Sequence, residues 1–178
     1  MTLVVLLRGV NVGGHNTFRP KKLADRLKPL QVVNVGAAGS FVVRNAVSQA
    51  ALRHEVKRAL PFEAEVMVCS GRLISDLVKN DPFPDQPSGS DLVRFVSVLA
   101  RRPVTPVIPF GLPSDTDWLL RVVECRGRFV FGVYRRQLKA IACLGRLEKI
   151  FGMPVTTRSW NTITALARLT SAPVDFGG

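Results

Sequence analysis

A glycine-rich segment near the N-terminus has residue types suited to holding an anion. It runs from Gly9 to Asn16 and follows the apolar run Leu3–Leu7. Between a strand and a helix, the backbone N–H groups of such a loop can surround a phosphate or a carboxylate. No Gly-Lys-Ser/Thr sequence follows it, and its glycine spacing differs from that of the dinucleotide-binding fingerprint. The alternative interpretation is a tight turn that needs a positive φ at Gly13 or Gly14.

Lysines and arginines are concentrated on the two helices predicted in the first half. In a split βαβ unit both helices lie on one side of the sheet, so these cations could form one surface that binds phosphates without reading bases. Base stacking is not expected, because the first predicted strand has no aromatic residue and the third has only Phe41. The alternative interpretation is a solvated helix face. The predicted polyanion-binding residues are Lys21, Lys22, Arg26, Arg53, Lys57 and Arg58.

Residues that could perform acid–base, nucleophilic or metal chemistry are few and scattered. His15 lies in the glycine-rich loop and His54 lies among basic residues on a helix, and a lone histidine is a weak indication of a general base. Cys69 precedes a predicted helix, but a buried thiol at a strand end is the favoured interpretation. The paired acids have no neighbour that would separate their pKa values: Glu63 with Glu65, and Asp81 with Asp85. We therefore predict no metal site and no cofactor, assign no catalytic residue, and leave open whether the protein is an enzyme.

The composition indicates a folded protein in a reducing compartment. Of 178 residues, 47% are hydrophobic, and the mean hydropathy is +0.18, which excludes an intrinsically disordered chain. Three cysteines without paired spacing exclude a disulfide framework. No apolar run approaches the ~20 residues of a membrane span. We therefore expect a cytoplasmic protein with no membrane partner.

The net charge of +12 is unevenly distributed along the chain. Residues 1–60 carry ten Lys and Arg against two acids, residues 61–120 carry five against eight, and residues 121–178 carry ten against three. Two basic ends flank an acidic middle, so the net charge alone does not identify a polyanion-binding protein. The surplus can also come from composition bias, because Arg outnumbers Lys by 18 to 7.

Hydrophobic periodicity in the first half predicts the order strand, helix, strand, strand, helix, strand. Pro20 suits the first position of the first helix, and Ser48 is a suitable N-cap for the second, which Pro61 ends. This order is that of the split βαβ unit of ferredoxin-like domains. The strands are expected at residues 2–7, 31–35, 41–43 and 63–69.

The second half shows a looser version of the same pattern. Four prolines between residues 103 and 113 predict an irregular connection. Strands are expected at 92–99, 119–125 and 128–134, and helices at 70–78, 138–151 and 162–170, with Ile141, Leu144, Leu147 and Ile150 as the stripe of the helix 138–151. We predict an α+β fold of two ferredoxin-like halves with mixed or antiparallel sheets and a C-terminal helix. The predicted division is residues 1–79, a linker at 80–90, and residues 91–178.

Three segments resemble signatures of a bacterial family. They are Leu6–Gly14, Asp81–Pro84 and Thr157–Thr162, and in this order they are similar to those of domain-of-unknown-function family 1697. The resemblance implies two ferredoxin-like halves and supplies no activity, because the function of the family is unassigned. The chain departs from the family at the turn Ala37-Ala38-Gly39-Ser40, where a Gln-Ser-Gly-Asn turn is typical, so ligand contacts at that turn must differ or be lost.

Selected residues in and next to the first and last of these segments form a second set of candidates. They could bind an anion or a small molecule in a cleft between the halves. Asn161 can instead be the N-cap of the last helix, with Trp160 packed beside it. The predicted ligand-binding residues are Arg8, Asn11, Gly13, Gly14, His15, Arg158, Trp160 and Asn161.

These observations favour a binding protein for a phosphate-bearing or nucleic-acid partner. It would use Arg8, the glycine-rich loop and the basic helix faces. A small-molecule-binding protein or enzyme with a cleft between the halves is the second hypothesis. An interaction module that pairs through an exposed strand edge is the third. The oligomeric state is not predicted.

Overall fold

The chain forms two structural units, and one of them is built from both ends of the sequence. The computed structural model describes residues 1–10, 14, 17–46, 48–104 and 107–171. The first unit consists of Met1–Asn80 together with the segment that begins at Asn161, and the second consists of Asp81–Trp160. The sequence division at 80–90 grouped the last helix with the second half. The division into residues 1–79, a linker at 80–90 and residues 91–178 stays a prediction.

Nine strands, five α-helices and one short 3-10 helix make up the described part of the chain. In chain order they are β1 (Leu3–Leu7), α1 (Pro20–Arg26), the 3-10 helix (Lys28–Leu30), β2 (Val32–Val35), β3 (Ser40–Val43), α2 (Gln49–Ala59), β4 (Val66–Ser70), α3 (Gly71–Lys79), β5 (Leu92–Leu99), β6 (Phe110–Pro113), β7 (Trp118–Arg126), β8 (Phe129–Arg135), α4 (Leu138–Phe151), β9 (Val155–Ser159) and α5 (Trp160–Ser171).

The first sheet has the strand order of a ferredoxin-like domain. The order is β2-β3-β1-β4, and every neighbouring pair is antiparallel. The parallel strands β1 and β2 are separated by β3, and α1 connects them, which is the split βαβ arrangement. The α+β fold predicted from the element order is therefore confirmed.

Helices α1 and α2 cover the same face of the first sheet. Leu3, Val5 and Leu7 alternate along β1 and pack in one cluster with Leu23 of α1 and Val56 of α2. The Ser48 hydroxyl accepts a hydrogen bond from the Ala51 N–H at 3.1 Å, so Ser48 caps α2 as predicted.

Helices α3 and α5 meet closely within the first unit. A Cβ atom on Gly71 would lie 3.0 Å from Thr170 and 3.1 Å from the Thr2 carbonyl oxygen, so only a glycine allows this approach without a shift. The hydroxyls of Ser75 and Thr170 are hydrogen-bonded at 2.9 Å. The last helix is thereby attached to the first unit.

The second sheet contains one split βαβ unit and an added hairpin. Its order is β6-β7-β8-β5-β9, with all neighbours antiparallel. Helix α4 connects the parallel strands β8 and β9, and β5 lies between them. The core of this unit joins Leu147 and Phe151 of α4 to Phe95 and Leu120 of the sheet.

The buried side of α4 differs from the predicted stripe. The helix buries Ala140, Cys143, Leu147 and Phe151, and it leaves Ile141 and Ile150 exposed. Steps of three residues fall about 60° short of a full turn each, so the predicted stripe winds around the helix, whereas steps of three and four stay on one side.

Among the described residues, no helix is long and apolar enough to cross a membrane.

Three local predictions were wrong at element boundaries. Strand β6 occupies part of the proline-rich connection, and it is an edge strand, where proline removes no ladder hydrogen bond on the open side. The acids Glu63 and Glu65 precede β4 instead of lying on it. Strand β9 was not predicted, and α5 begins directly after it at Trp160.

We expect Gly39→Ala to destabilise the protein more than Gly36→Ala. Both glycines have a positive φ, +74° and +68°, and this alone costs about 1 kcal/mol for alanine. A Cβ on Gly39 would also lie 2.8 Å from Val10 Cγ2 and 2.9 Å from Leu7 Cβ, whereas a Cβ on Gly36 meets no atom within 4 Å. The free energy of unfolding from urea titration should fall by about 2–3 kcal/mol for Gly39→Ala. Equal losses in both variants would contradict the close packing at Gly39.

Candidate functional site

The backbone that leads into the glycine-rich loop is held by hydrogen bonds from both neighbours of β1. The Leu7 N–H donates to the Gly39 carbonyl at 2.8 Å, and the Arg8 N–H donates to the Glu65 carbonyl at 3.0 Å. These bonds extend the pairing of β1 toward β3 and β4 beyond the strand. The half-buried Arg8 side chain therefore leaves the sheet at a defined place.

Most predicted ligand residues of this loop, Asn11, Gly13 and His15, lie outside the described residues. Gly14 is described: it is exposed, its φ is +78°, and its carbonyl accepts a hydrogen bond from the Thr17 hydroxyl at 3.1 Å. A Cβ on Gly14 would meet no atom within 4 Å, so the backbone conformation explains the glycine. The tight-turn interpretation accounts for Gly14, and anion binding by the loop stays a prediction.

Arg8 lines a cavity with balanced charge near the C-terminal end of α2. The cavity has a volume of about 640 Å³. Two cations, Arg8 and Lys57, share it with two carboxylates, Glu63 and Glu65, so it has no net preference for an anion. Its lining residues are Arg8, Lys57, Leu60, Pro61, Phe62, Glu63, Ala64 and Glu65.

A second cavity, beside α1, is lined by cations. Its volume is about 510 Å³, and we refer to it as the α1 cavity. Lys22 and Arg26 lie four residues apart on one side of α1, and Arg19 is the extended residue that directly precedes the helix. Among the described residues, no carboxylate lines this cavity. Its lining residues are Thr17, Phe18, Arg19, Lys22, Leu23, Arg26, Ala59 and Pro61.

One cation of the α1 cavity is held by the end of α2. The Arg26 Nη1 donates to the Ala59 carbonyl oxygen at 2.7 Å, and Ala59 is the last residue of α2, where carbonyls lack partners within the helix. The ring of Phe18, which lines the cavity, meets the ring of Phe62 edge to face with centroids 5.7 Å apart. The lining thus combines cationic with apolar side chains.

The other predicted polyanion-binding residues are used differently. Lys21 is exposed and does not line the α1 cavity. The Arg53 Nε donates to the Val66 carbonyl at 3.2 Å. Arg58 lies 3.4 Å from the Glu55 carboxylate, with both side chains exposed. The structure therefore brings Lys22 and Arg26 together with Arg19, while Arg53 and Arg58 have local partners.

The described strands of the first sheet offer no stacking platform for bases. Phe41, the aromatic residue of β3, is 1% exposed and packs in the cluster beneath α1 and α2. Strands β1 and β3 are buried along their whole length, so their side chains are not presented to a nucleic acid.

Arg158 is buried in the second unit. Its Nη1 donates to the Thr156 hydroxyl and to the Thr157 carbonyl, both at 2.9 Å. Burial disfavours the charged form and lowers the pKa of Arg158 to about 10. The guanidinium stays protonated at neutral pH, because that pKa is still far above 7.

Trp160 packs against Phe83, which joins two of the segments that resemble family signatures. Their ring centroids are 5.2 Å apart, and Phe83 is fully buried. The Asp81 carboxylate accepts a hydrogen bond from the Phe83 N–H at 2.8 Å, and the Arg94 guanidinium lies 5.5 Å from the ring centre. These contacts give Phe83 and Trp160 a packing role.

The predicted cap position of Asn161 was wrong. Helix α5 begins at Trp160, so exposed Asn161 lies in its first turn, where its carbonyl accepts a hydrogen bond from the Thr164 hydroxyl at 2.9 Å. Arg8 and Asn161 belong to the first unit, and Arg158 and Trp160 to the second. A cleft that unites these residues stays a prediction.

The described residues offer little for metal or thiol chemistry. Within them, no group of three or more His, Cys, Asp or Glu side chains could hold a metal ion. Cys69 and Cys143 are buried. Burial also raises the pKa of the Cys125 thiol, which disfavours the nucleophilic thiolate.

Of the eight residues that line the α1 cavity, sequence reasoning predicted only Lys22 and Arg26 as binding residues; Phe18, Arg19 and Pro61 are among those that it missed. Arg19 was detectable, because it precedes Lys22 by three residues and Arg26 by seven. Pro61 was not, because only the tertiary packing of α2 beside α1 brings it there.

Comparison with known proteins yields a family and a fold. Residues 1–108, well over half of the chain, match the model of a family described as "Protein of unknown function (DUF1697)". The segment at 157–162 lies beyond the match. The solved structure of the conserved bacterial protein SP0830 from Streptococcus pneumoniae is 15% identical with a TM-score of 0.59, and the alignment covers 95% of this chain and 98% of that one. At this identity the likeness concerns the fold alone. No curated protein matches significantly.

We expect Phe83→Ala to destabilise the protein strongly, because it removes the ring that Trp160 and Phe131 contact. A loss of about 3–5 kcal/mol in the free energy of unfolding is typical of such a cavity. Leu138→Ala, at a residue that is 86% exposed, should change it by less than about 0.5 kcal/mol. Similar urea midpoints for both variants would refute the packing role of Phe83.

Proposed function

Because the chain belongs to the DUF1697 family of proteins of unknown function, its function has to be argued from its own residues, and we propose that it binds a phosphate-bearing ligand in the α1 cavity. The observation that carries this proposal is the charge of the described lining, which contains the cations Arg19, Lys22 and Arg26 and no carboxylate. Three cations that share a concave site attract an anion more strongly than the same cations spread over a surface.

The side chain of Arg26 is held in place by a hydrogen bond. Its bond to the Ala59 carbonyl uses Nη1, and the guanidinium has further donors in a rigid fork that suits a phosphate group. The bond to α2 limits the rotamers of Arg26, so less side-chain entropy is lost when a ligand binds.

The apolar residues that line the cavity indicate which chemical group is attached to the phosphate of the ligand. Phe18, Leu23 and Pro61 line the cavity together with the cations. A free inorganic ion would leave these apolar residues unused, whereas a phosphate attached to an apolar or ring-shaped group would contact both the cations and the apolar residues. The ligand class that suits the lining is therefore a small organic phosphate. Nucleic-acid binding would use the phosphates alone, because no aromatic side chain of β1 or β3 is available for stacking.

The compartment that we propose is the cytoplasm. Cys69, Cys125 and Cys143 are all free thiols, which supports a reducing environment.

We expect Lys22→Glu and Arg19→Glu each to weaken binding of phenyl phosphate by about tenfold, the equivalent of about 1.4 kcal/mol. Each change places a negative charge beside the bound anion. Isothermal titration calorimetry at low ionic strength measures the affinity, which should also fall as salt is added, because the charges are exposed. Arg26 is less suitable for this test, since its substitution also removes the bond to α2.

Lys21→Glu is the matched control. It makes the same charge change on the same helix, at a residue that does not line the cavity. An unchanged affinity in this variant together with weaker binding in Lys22→Glu supports the cavity. Equal losses in both would indicate a diffuse basic face, and tight binding of single-stranded DNA with no binding of phenyl phosphate would favour a nucleic-acid partner. Either result would refute the proposal.

A further inference from the structure

The outer side of α4 carries an apolar stripe that the described part of the chain leaves exposed. Leu138 is 86% exposed and Ile141 is 58% exposed, and Ala142 and Gly145 are also exposed. These residues follow one another at steps of three, one and three, so they lie on one side of the helix, opposite Leu147 and the second core. A Cβ on Gly145 would meet no atom within 4 Å, so this side is open.

Cations border this stripe. Lys139, Arg146 and Lys149 are exposed, and none of them forms an ion pair within the described part of the chain. The single acid of α4, Glu148, is half-buried, and its carboxylate accepts a hydrogen bond from the Val155 N–H at 3.1 Å. The face therefore presents leucine and isoleucine side chains among positive charges, which is the pattern of helices that lie at an anionic lipid surface.

We propose that the outer side of α4 is a docking surface for an anionic phospholipid membrane. This proposal concerns the second unit and does not depend on ligand binding in the α1 cavity. The expectation of no membrane partner was based on the length of apolar runs, which tests only for a membrane-spanning helix. A peripheral membrane contact needs only a short exposed apolar face with cations beside it.

The size and charge of the face favour lipid over protein occupants. From Leu138 to Lys149 the helix extends about 16 Å with a width of about 10 Å, so the face covers far less than the ~800 Å² per partner of a stable protein interface. A second copy of this chain would bring like charges together, which disfavours self-association. A fluid anionic surface needs no matching groove, and it neutralises each cation beside it.

Vesicle co-sedimentation tests this proposal with the intact chain. We expect binding to vesicles of phosphatidylcholine with phosphatidylglycerol and no binding to phosphatidylcholine alone. Leu138→Glu and Ile141→Glu should each lower the partition coefficient at least about tenfold, because each removes an inserting side chain and adds a negative charge. Both residues are largely exposed, so the variants should keep the wild-type circular dichroism spectrum and melting temperature.

Leu73→Glu is the charge-matched control, at an exposed leucine of α3 (41% exposed). It should bind the vesicles as the wild type does. Absence of binding to anionic vesicles at low salt, or an equal loss in Leu73→Glu and Leu138→Glu, would overturn the proposal.

Two further outcomes would also refute lipid docking by α4: vesicle binding by the α1 cavity, and a dimer formed through the α4 face. If Lys22→Glu abolishes vesicle binding while Leu138→Glu does not, the α1 cavity holds the lipid phosphate and the role of α4 is refuted. If light scattering instead shows a dimer that Leu138→Glu dissociates, the face is an interface between copies, which equally overturns the lipid assignment. Binding of phenyl phosphate should be unchanged in Leu138→Glu, so the two proposals succeed or fail separately.

Discussion

The first unit depends on the complete burial of β1. Five consecutive apolar residues, Leu3–Leu7, have no exposed side, so the strand can only be central, with β3 on one side and β4 on the other. Once β1 is placed, its two faces determine which elements pack on each, and its last hydrogen bonds determine where Arg8 leaves the sheet. A polar side chain anywhere in this run would be buried without a partner.

The segments that resemble family signatures have different roles in the two units. In the second unit, the Asp81 carboxylate accepts a hydrogen bond from the Phe83 N–H, and the Phe83 ring packs against Trp160. The Phe83 ring also contacts Phe131 of β8, so these contacts attach the loop to the sheet. In the first unit, Arg8 of the first such segment lines a cavity. Family membership brings no activity with it, because the family is described as one of unknown function.

Much of the fold was predictable because local signals agreed with tertiary structure. The run Leu3–Leu7, the cap at Ser48 and the order of elements in the first half led to the observed sheet. The stripe of α4 was wrong because any apolar residue at helical spacing was assumed to be buried, whereas Ile141 faces solvent. Of the residues that line the α1 cavity, Lys22 and Arg26 were predicted from the sequence as members of a basic helix face. Pro61 arrives there only through the packing of two helices, which no single-helix pattern contains.

The attachment of α5 to α3 through Gly71 and Thr170 has a consequence for synthesis of the chain. The first unit is interrupted by residues 81–160 and is completed only by a helix that starts where the second unit stops. On the ribosome, the whole second unit has therefore been made before the last buried residues of the first, such as Ile163 and Leu166, exist. The nascent first unit must keep a surface open for its final helix, because the second unit is inserted within the sequence of the first.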